Sequence, residues 1–314
     1  MDSLIIRPLE EADLDEADRI LRLAFGTFNQ LPDPMTMFGD ADWARTRFRG
    51  NPGGSLAAEL DGRLVGSNFL ANWGSVGFFG PLSVDPALWE KKIARRLLDS
   101  TMEIFRRWNM RHLGLFTYAQ SPKHLALYQK YGFWPRYLTA VMDKKAEPGR
   151  LGRNVQLFSD LDAPEQRTIL TDTREMLSSI YDGLDVTIEI ESVAKQKIGD
   201  TVFLRNGSHV DAVAVCHIGK GSETSSGCGY IKFGAVRPDN DAPQNFEKLF
   251  EACEHLVAAS GATELEAGVN TERHAAYRAM IARGFRTFVS GVSMQHGNDP
   301  GYNKPDLYLL DDWR

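Results

Sequence analysis

Cysteine is scarce, three residues in 314. Cys216, Cys228 and Cys253 form no C-x-x-C or Cys/His ligand spacing, and their number is odd. A disulfide framework and a structural zinc are therefore not expected, and a reducing, cytoplasmic compartment is. Long apolar runs are missing as well. None approaches the ~20 residues a membrane helix needs, and Met1-Asp2-Ser3-Leu4-Ile5-Ile6-Arg7 lacks the basic start and apolar core of a signal peptide. No membrane partner is expected. Positive charge is not in excess either: 36 Lys and Arg stand against 42 Asp and Glu, for a net −6. That removes the electrostatic ground for a nucleic-acid partner, while a local basic patch can still grip a small polyanion. What the chain has in quantity is apolar residues, 43%, over about twice the ~150-residue length of a common domain, enough for two cores.

The sequence repeats itself. Leu127-Tyr128-Gln129-Lys130-Tyr131-Gly132-Phe133 has a fainter copy in Met280-Ile281-Ala282-Arg283-Gly284-Phe285, and Val84-Asp85-Pro86 has one in Val236-Arg237-Pro238. Both pairs are separated by 152 residues, so the chain reads as an internal duplication.

In the first half, Leu4 to Pro8 predicts a strand, and Asp13 is placed to cap an amphipathic helix to about Phe25. After a loop from Gln30 to Asp42 and a short helical piece from Trp43 to Phe48, Leu56 to Leu60 turns at Asp61-Gly62 into Leu64-Val65-Gly66, a tight hairpin. A strand from Val76 to Val84, a helix from Trp89 to Trp108, a strand from His112 to Tyr118, a helix from Pro122 to Tyr131 and a strand from Tyr137 to Asp143 follow. A connector, Pro148 to Arg153, marks a boundary. The same order then returns: helices over Pro164–Tyr181 and Glu189–Lys197, a hairpin at Asn206-Gly207, a strand from Tyr230 to Val236, a helix from Phe246 to Ala259, a strand from Thr263 to Val269, a helix from Glu272 to Arg283 and a strand from Phe288 to Met294. The tail from Gly301 carries Leu307, Tyr308, Leu309, Leu310 and Trp313, which implies that it docks.

This order and these motifs resemble the GNAT superfamily of acyl-CoA-dependent N-acetyltransferases, in which a strand ending V-x-P leads into an R/Q-x-x-G-x-G/A loop and helix, and a later helix ends Y-x-x-x-G-F. The resemblance spans nearly the whole chain as a tandem pair. It implies an α/β fold with an α+β mixed sheet: two tandem domains, each a mostly antiparallel central sheet flanked by helices. The division expected is 1–147 for an acetyl-CoA-binding, catalytic unit, 148–298 for a degenerate copy and 299–314 for the docking tail. In the first half Val84-Asp85-Pro86 matches and Ala94 takes the last loop position, but Trp89 stands where the family has Arg or Gln and Lys92 where it has the first glycine.

In that loop, amides at a helix N-terminus and the helix dipole hold a pyrophosphate. The resemblance assigns coenzyme A contacts to Trp89, Lys91, Lys92, Ile93, Ala94 and Arg95. The ammonium of Lys92 can replace the lost glycine provided that its backbone avoids positive φ. The competing reading is a solvated basic helix face. Tyr128 matches the tyrosine that donates a proton to the departing thiolate; by spacing alone it is equally a core aromatic beside Leu125 and Leu127. Backbone amides of Leu82 and Val84 match the strand along which the family lays pantetheine. Ser121, where many members have Asn, either bonds pantetheine or caps its helix. His112 and His124 fit packing better than catalysis, and the general base stays unassigned.

The second loop, Asp239 to Asn245, is acidic and contains Pro243, which disfavours phosphate. Met280 stands at the Tyr128 position and Arg273 at that of Ser121. The run Gly219 to Glu223 with His217 reads either as part of an acceptor pocket or as a mobile hairpin connection. Trp43, Phe48, Trp73, Phe78 and Phe79 read either as acceptor cleft or as core. The expectation is an N-acetyltransferase that uses acetyl-CoA as cosubstrate, a small-molecule or peptide amine as acceptor and no metal, with a homo-oligomer left open. The rival is a non-catalytic acyl-CoA-binding or scaffold protein whose two loops have decayed.

Overall fold

The computed structural model describes residues 4–149, 151–207 and 209–314. Residues 1–3 of the N-terminal reading and Arg150 of the connector lie outside the described residues. The first apolar stretch forms β1 (Leu4–Pro8). The amphipathic run behind it forms α1 (Leu14–Phe28), which buries Leu14, Ala17, Ile20, Leu21 and Ala24 along one face. Asp13 does not cap α1; its carboxylate is held instead by Arg7 at 2.6 Å and accepts from the Glu10 amide at 2.8 Å. Asp42 caps α2 (Trp43–Gly50), accepting from the Arg45 amide. Asp61 and Gly62, both with positive φ, turn β2 (Ser55–Leu60) into β3 (Arg63–Trp73), the backbone geometry that a two-residue hairpin demands.

The single strand expected over residues 76–84 is broken into β4 (Val76–Phe79) and β5 (Ser83–Val84). The following helix, α3 (Ile93–Arg107), starts later than its apolar pattern implies. A 3-10 turn at Pro86–Leu88 and positive φ at Glu90 and Lys92 intervene. The half closes with β6 (His112–Tyr118), α4 (Pro122–Gln129) and β7 (Phe133–Lys145). Gly132, at φ 80°, makes the left-handed link between α4 and β7.

The second half repeats the order. A strand not foreseen, β8 (Val155–Leu157), is followed by α5 (Ala163–Ile180), α6 (Thr187–Gln196), β9 (Gly199–Asn206), β10 (His209–Ile218) and β11 (Cys228–Val236). Then come α7 (Ala242–Ala259), β12 (Glu264–Asn270), α8 (His274–Ala282), β13 (Arg286–His296) and, in the tail, β14 (Leu309–Leu310).

The strands form one continuous mixed sheet in the order β1-β2-β3-β4-β6-β13-β7-β12-β11-β10-β9-β8. β7 and β13, the last strands of the two repeats, have changed places. β13 pairs antiparallel with β6, and β7 pairs antiparallel with β12 and with β13. A cut at 147/148 separates β7 from both strands that it pairs with, so the sequence boundary is not a boundary of the sheet. Among the described residues no helix is long and apolar enough to cross a membrane.

The tail closes the seam between the halves. The Trp313 ring stacks on Phe78 with centroids 5.9 Å apart and 12° between planes, and it covers Gly114 so closely that a Cβ there would fall 2.0 Å from the indole. Gly114→Ala is expected to unseat Trp313 and to destabilise the fold by about 1–3 kcal/mol, the usual cost of overpacking. A denaturant titration with an unchanged midpoint would show that the tail is not held at this point.

Candidate active site

The break between β4 and β5 opens the sheet. Both pieces pair with β3; β4 also runs parallel to β6 as far as Phe79 against Leu115, whereas among the described residues β5 has no strand on that side. The Asp85 amide donates to the Val65 carbonyl at 2.9 Å, which fixes the alternation: Ser83 and Asp85 turn their amides toward β3, and Leu82 and Val84 turn theirs into the gap. The Val84 carbonyl faces the gap too, since it accepts from Trp89 Nε1 at 2.8 Å. Trp89 thus takes a structural bond at the position where the resemblance expects Arg or Gln. The gap belongs to a cavity of about 770 Å³.

At one end of the cavity lies the N-terminus of α3. Its N-cap, Lys92, makes no side-chain capping bond and sits at φ 65°, ψ 15°. The sequence reading required Lys92 to avoid positive φ, and it does not: lysine occupies the left-handed conformation a glycine adopts freely, at a cost of about 1–2 kcal/mol. With no cap, and with the amides of Arg95 and Arg96 already turned back to the Lys92 carbonyl, the amides of Ile93 and Ala94 are left to an incoming anion. Lys92, Ile93, Ala94 and Arg95 all line the cavity; Lys91 is exposed and lies outside its lining. These donors and cations fit a pyrophosphate.

Tyr128 lies deeper. It is 8% exposed, its ring meets Phe79 edge-on at 5.7 Å, and burial pushes its phenol up to about 12. The hydroxyl has no hydrogen-bond partner among the described residues, which leaves its proton free for a ligand in the cavity. Ser121 is the N-cap of α4, accepting from the His124 amide at 3.4 Å, so its side chain is a cap at the cavity wall. The His124 ring lies tilted against Phe28 at 5.1 Å, and its imidazole is held below the usual histidine range by burial and then by Lys123. His112 is elsewhere, buried against Tyr181, Tyr302 and Trp313.

The opposite wall comes from the second half. The loop after β10, open in the sequence between pocket and mobile connection, is tied down: the Asp42 amide donates to the Ser222 carbonyl at 2.8 Å, and the Gly221 amide to the Asp40 carbonyl at 3.1 Å. Its residues Glu223, Thr224 and Ser225 line the cavity, as do Glu266, Trp313 and Arg314. Arg47 ties this wall to the split strand. Its guanidinium grips Glu223 at 3.1 and 2.8 Å, donates to the Gly80 carbonyl at 2.6 Å, and reaches the main-chain oxygen of Arg314. Burial alone would raise the Glu223 carboxyl, but Arg47 and Lys232 outweigh it and hold it well below the usual carboxylate range. Of the five aromatics singled out in the sequence, Trp43 and Phe79 line the cavity. Trp73 and Phe78 pack in a core shared with the second half, and Phe48 in a small cluster with Leu9, Ala44 and Phe69. Phe25, Phe28, Phe38, Phe116, Tyr118 and Trp313, not singled out, do line it.

The equivalent gap in the second half is filled by the chain itself. Gly234 and Val236 occupy the repeat positions of Leu82 and Val84; Gly234 pairs with Leu310 in β14, and the Val236 amide donates to the Tyr308 carbonyl at 3.1 Å. Arg273, at the Ser121 position, is fully buried and binds the tail through the Asp311 carboxylate at 2.7 Å and carbonyl at 2.9 Å. Met280, at the Tyr128 position, is core.

Residues 15–133 match the acetyltransferase (GNAT) family. No curated protein matches the chain by sequence. Among solved structures, a Pyrococcus horikoshii protein provisionally called an acetyltransferase superposes with TM-score 0.70 at 17% identity over 98% of this chain and 94% of its own. A GCN5-related N-acetyltransferase from Sphaerobacter thermophilus gives 0.60 at 14% over 96% and 98%. A tandem GNAT protein from the clavulanic acid biosynthesis pathway gives 0.56 at 14% over 93% and 98%. These identities speak for the fold alone: the chain has the fold of a tandem GNAT protein, and the segment that matches the acetyltransferase (GNAT) family model contains the split strand, α3 and Tyr128.

Proposed function

We propose that the chain is a cytoplasmic N-acetyltransferase that moves an acetyl group from acetyl-CoA to a primary amine, with its one cosubstrate site in the first half. The observation that carries this reading is the convergence, on one cavity, of the Leu82 and Val84 amides, the uncapped α3 N-terminus and the Tyr128 phenol. Ile93 and Ala94 amides, helped by Lys92 and Arg95, hold the pyrophosphate; Leu82 and Val84 align the pantetheine arm and the thioester carbonyl. The neutral amine attacks that carbonyl, a C–N bond forms as the C–S bond breaks, and the thiolate takes its proton from Tyr128, which regains one from the acylated nitrogen by way of solvent. The second half serves as a wall: its own gap is closed by β14, and the acidic loop before α7 does not favour phosphate.

Lys92→Glu is the direct test of the phosphate assignment. Calorimetric coenzyme A affinity should fall roughly ten-fold at low salt and by less at high salt, because the exposed charge is screened. An unchanged affinity would remove Lys92 from the site. The pH dependence has a definite sign. A general acid works only while protonated, and a phenol pushed up to about 12 stays protonated throughout the usual assay range. The rate should therefore show no alkaline fall assignable to Tyr128 below pH ~11. A descending limb near pH 8 that is abolished in Tyr128→Phe would contradict the buried phenol.

A further inference from the structure

The aromatic side chains of the acceptor end form an unbroken series. From Tyr128 the rings run to His124 at 6.5 Å, to Phe28 at 5.1 Å, to Tyr118 at 5.2 Å with planes 27° apart, to Phe25 at 6.4 Å, to Phe38 at 5.5 Å and to Trp43 at 5.3 Å. All of these residues line the cavity. The two carboxylates that the second half contributes already have partners. Glu223 is held by Arg47 and Lys232, and Glu266 by Arg314 at 2.8 Å. The Tyr118 hydroxyl accepts from Asn29 at 3.3 Å, and Ser225 Oγ donates to the Phe38 carbonyl at 3.2 Å.

An acceptor carrying several hydroxyls or several ammonium groups would have to strip its polar groups of water against a wall where unpartnered polar atoms are few, Thr224 Oγ1 and the Tyr128 hydroxyl among them, which is unfavourable for each group left over. A flat apolar body loses nothing by leaving water and gains edge and face contacts with the rings. Resting on the acetyltransferase reading above, we infer that the acceptor is a primary monoamine on an aromatic or aralkyl body, its ring against Phe28, Tyr118 and Phe38 and its nitrogen toward Tyr128. A polyamine or an amino sugar does not fit this surface.

The test uses the full chain with acetyl-CoA and three probes: 2-phenylethylamine, spermidine and glucosamine. The inference expects kcat/KM for 2-phenylethylamine at least ten-fold above the other two. Phe28→Ala should raise KM for 2-phenylethylamine by ten-fold or more while leaving KM for acetyl-CoA unchanged. Phe38→Leu, which keeps most of the volume but removes the ring, should move the same KM in the same direction if Phe28→Ala does not fold. Preference for spermidine or glucosamine, coenzyme A binding with none of the three amines acetylated, or an unmoved KM in the folded variants each overturns the acceptor class. Absence of coenzyme A binding in calorimetry, by contrast, overturns the acetyltransferase reading itself.

Discussion

Tyr128→Phe should lower the acetylation rate by about 10² to 10⁴, the range for loss of one general acid, while coenzyme A affinity and thermal midpoint stay close to those of the parent. The asymmetry follows from the surroundings of the hydroxyl. Among the described residues it has no hydrogen bond to lose, and the ring contact with Phe79 is retained by phenylalanine. A purely packing role predicts no rate change, since the ring is still there. A full rate with any accepted amine would therefore remove Tyr128 from the chemistry. A fall in coenzyme A affinity equal to the fall in rate would make it a binding residue.

The second large effect concerns the fold. Fragments 1–147 and 148–314, produced separately, are expected to remain unfolded, and a folded species should appear only on mixing or co-expression. In the first fragment β7 has lost β12 and β13, and β6 has lost β13, so the longest central ladder, Arg286–His296 against Phe133–Lys145, is absent from both pieces. Unpaired central strands expose backbone groups and apolar faces that nothing else covers. Circular dichroism showing cooperative unfolding of either fragment alone would contradict the exchange of strands.

The duplication and most elements were legible because they rest on local signals. Asp61-Gly62 turns where a two-residue hairpin requires it, and the apolar spacing that defines α1 is the face that α1 buries. What was not legible depends on contacts between distant segments. Residues 76–84 look like one strand because they are mostly apolar and extended in pattern; the break at Gly80-Pro81 becomes visible only because both pieces pair with β3 but β4 alone goes on to pair with β6. β7 carries the pattern of any closing strand, and nothing in that pattern says that it pairs with the other repeat. In the site, Tyr128, the α3 start and the Leu82 and Val84 amides could be placed from motifs. Phe25 and Phe28 were hidden in the apolar face of α1, and Trp313 and Arg314 reach the cavity from the far end of the chain. Lys92 is an informative miss: the left-handed conformation belongs to the loop and persists after glycine has been replaced, so a steric argument from the side chain alone pointed the wrong way.

One gap of the duplicated sheet is proposed to receive acetyl-CoA, and the other is filled by the tail. A crystal structure of the full chain grown with coenzyme A tests it most directly. One cosubstrate per chain is expected, its pyrophosphate at Ile93 and Ala94 and its pantetheine arm along Leu82 and Val84, with Leu309 and Leu310 still paired to β11. Coenzyme A lying along Gly234 and Val236, with the tail displaced, would contradict it.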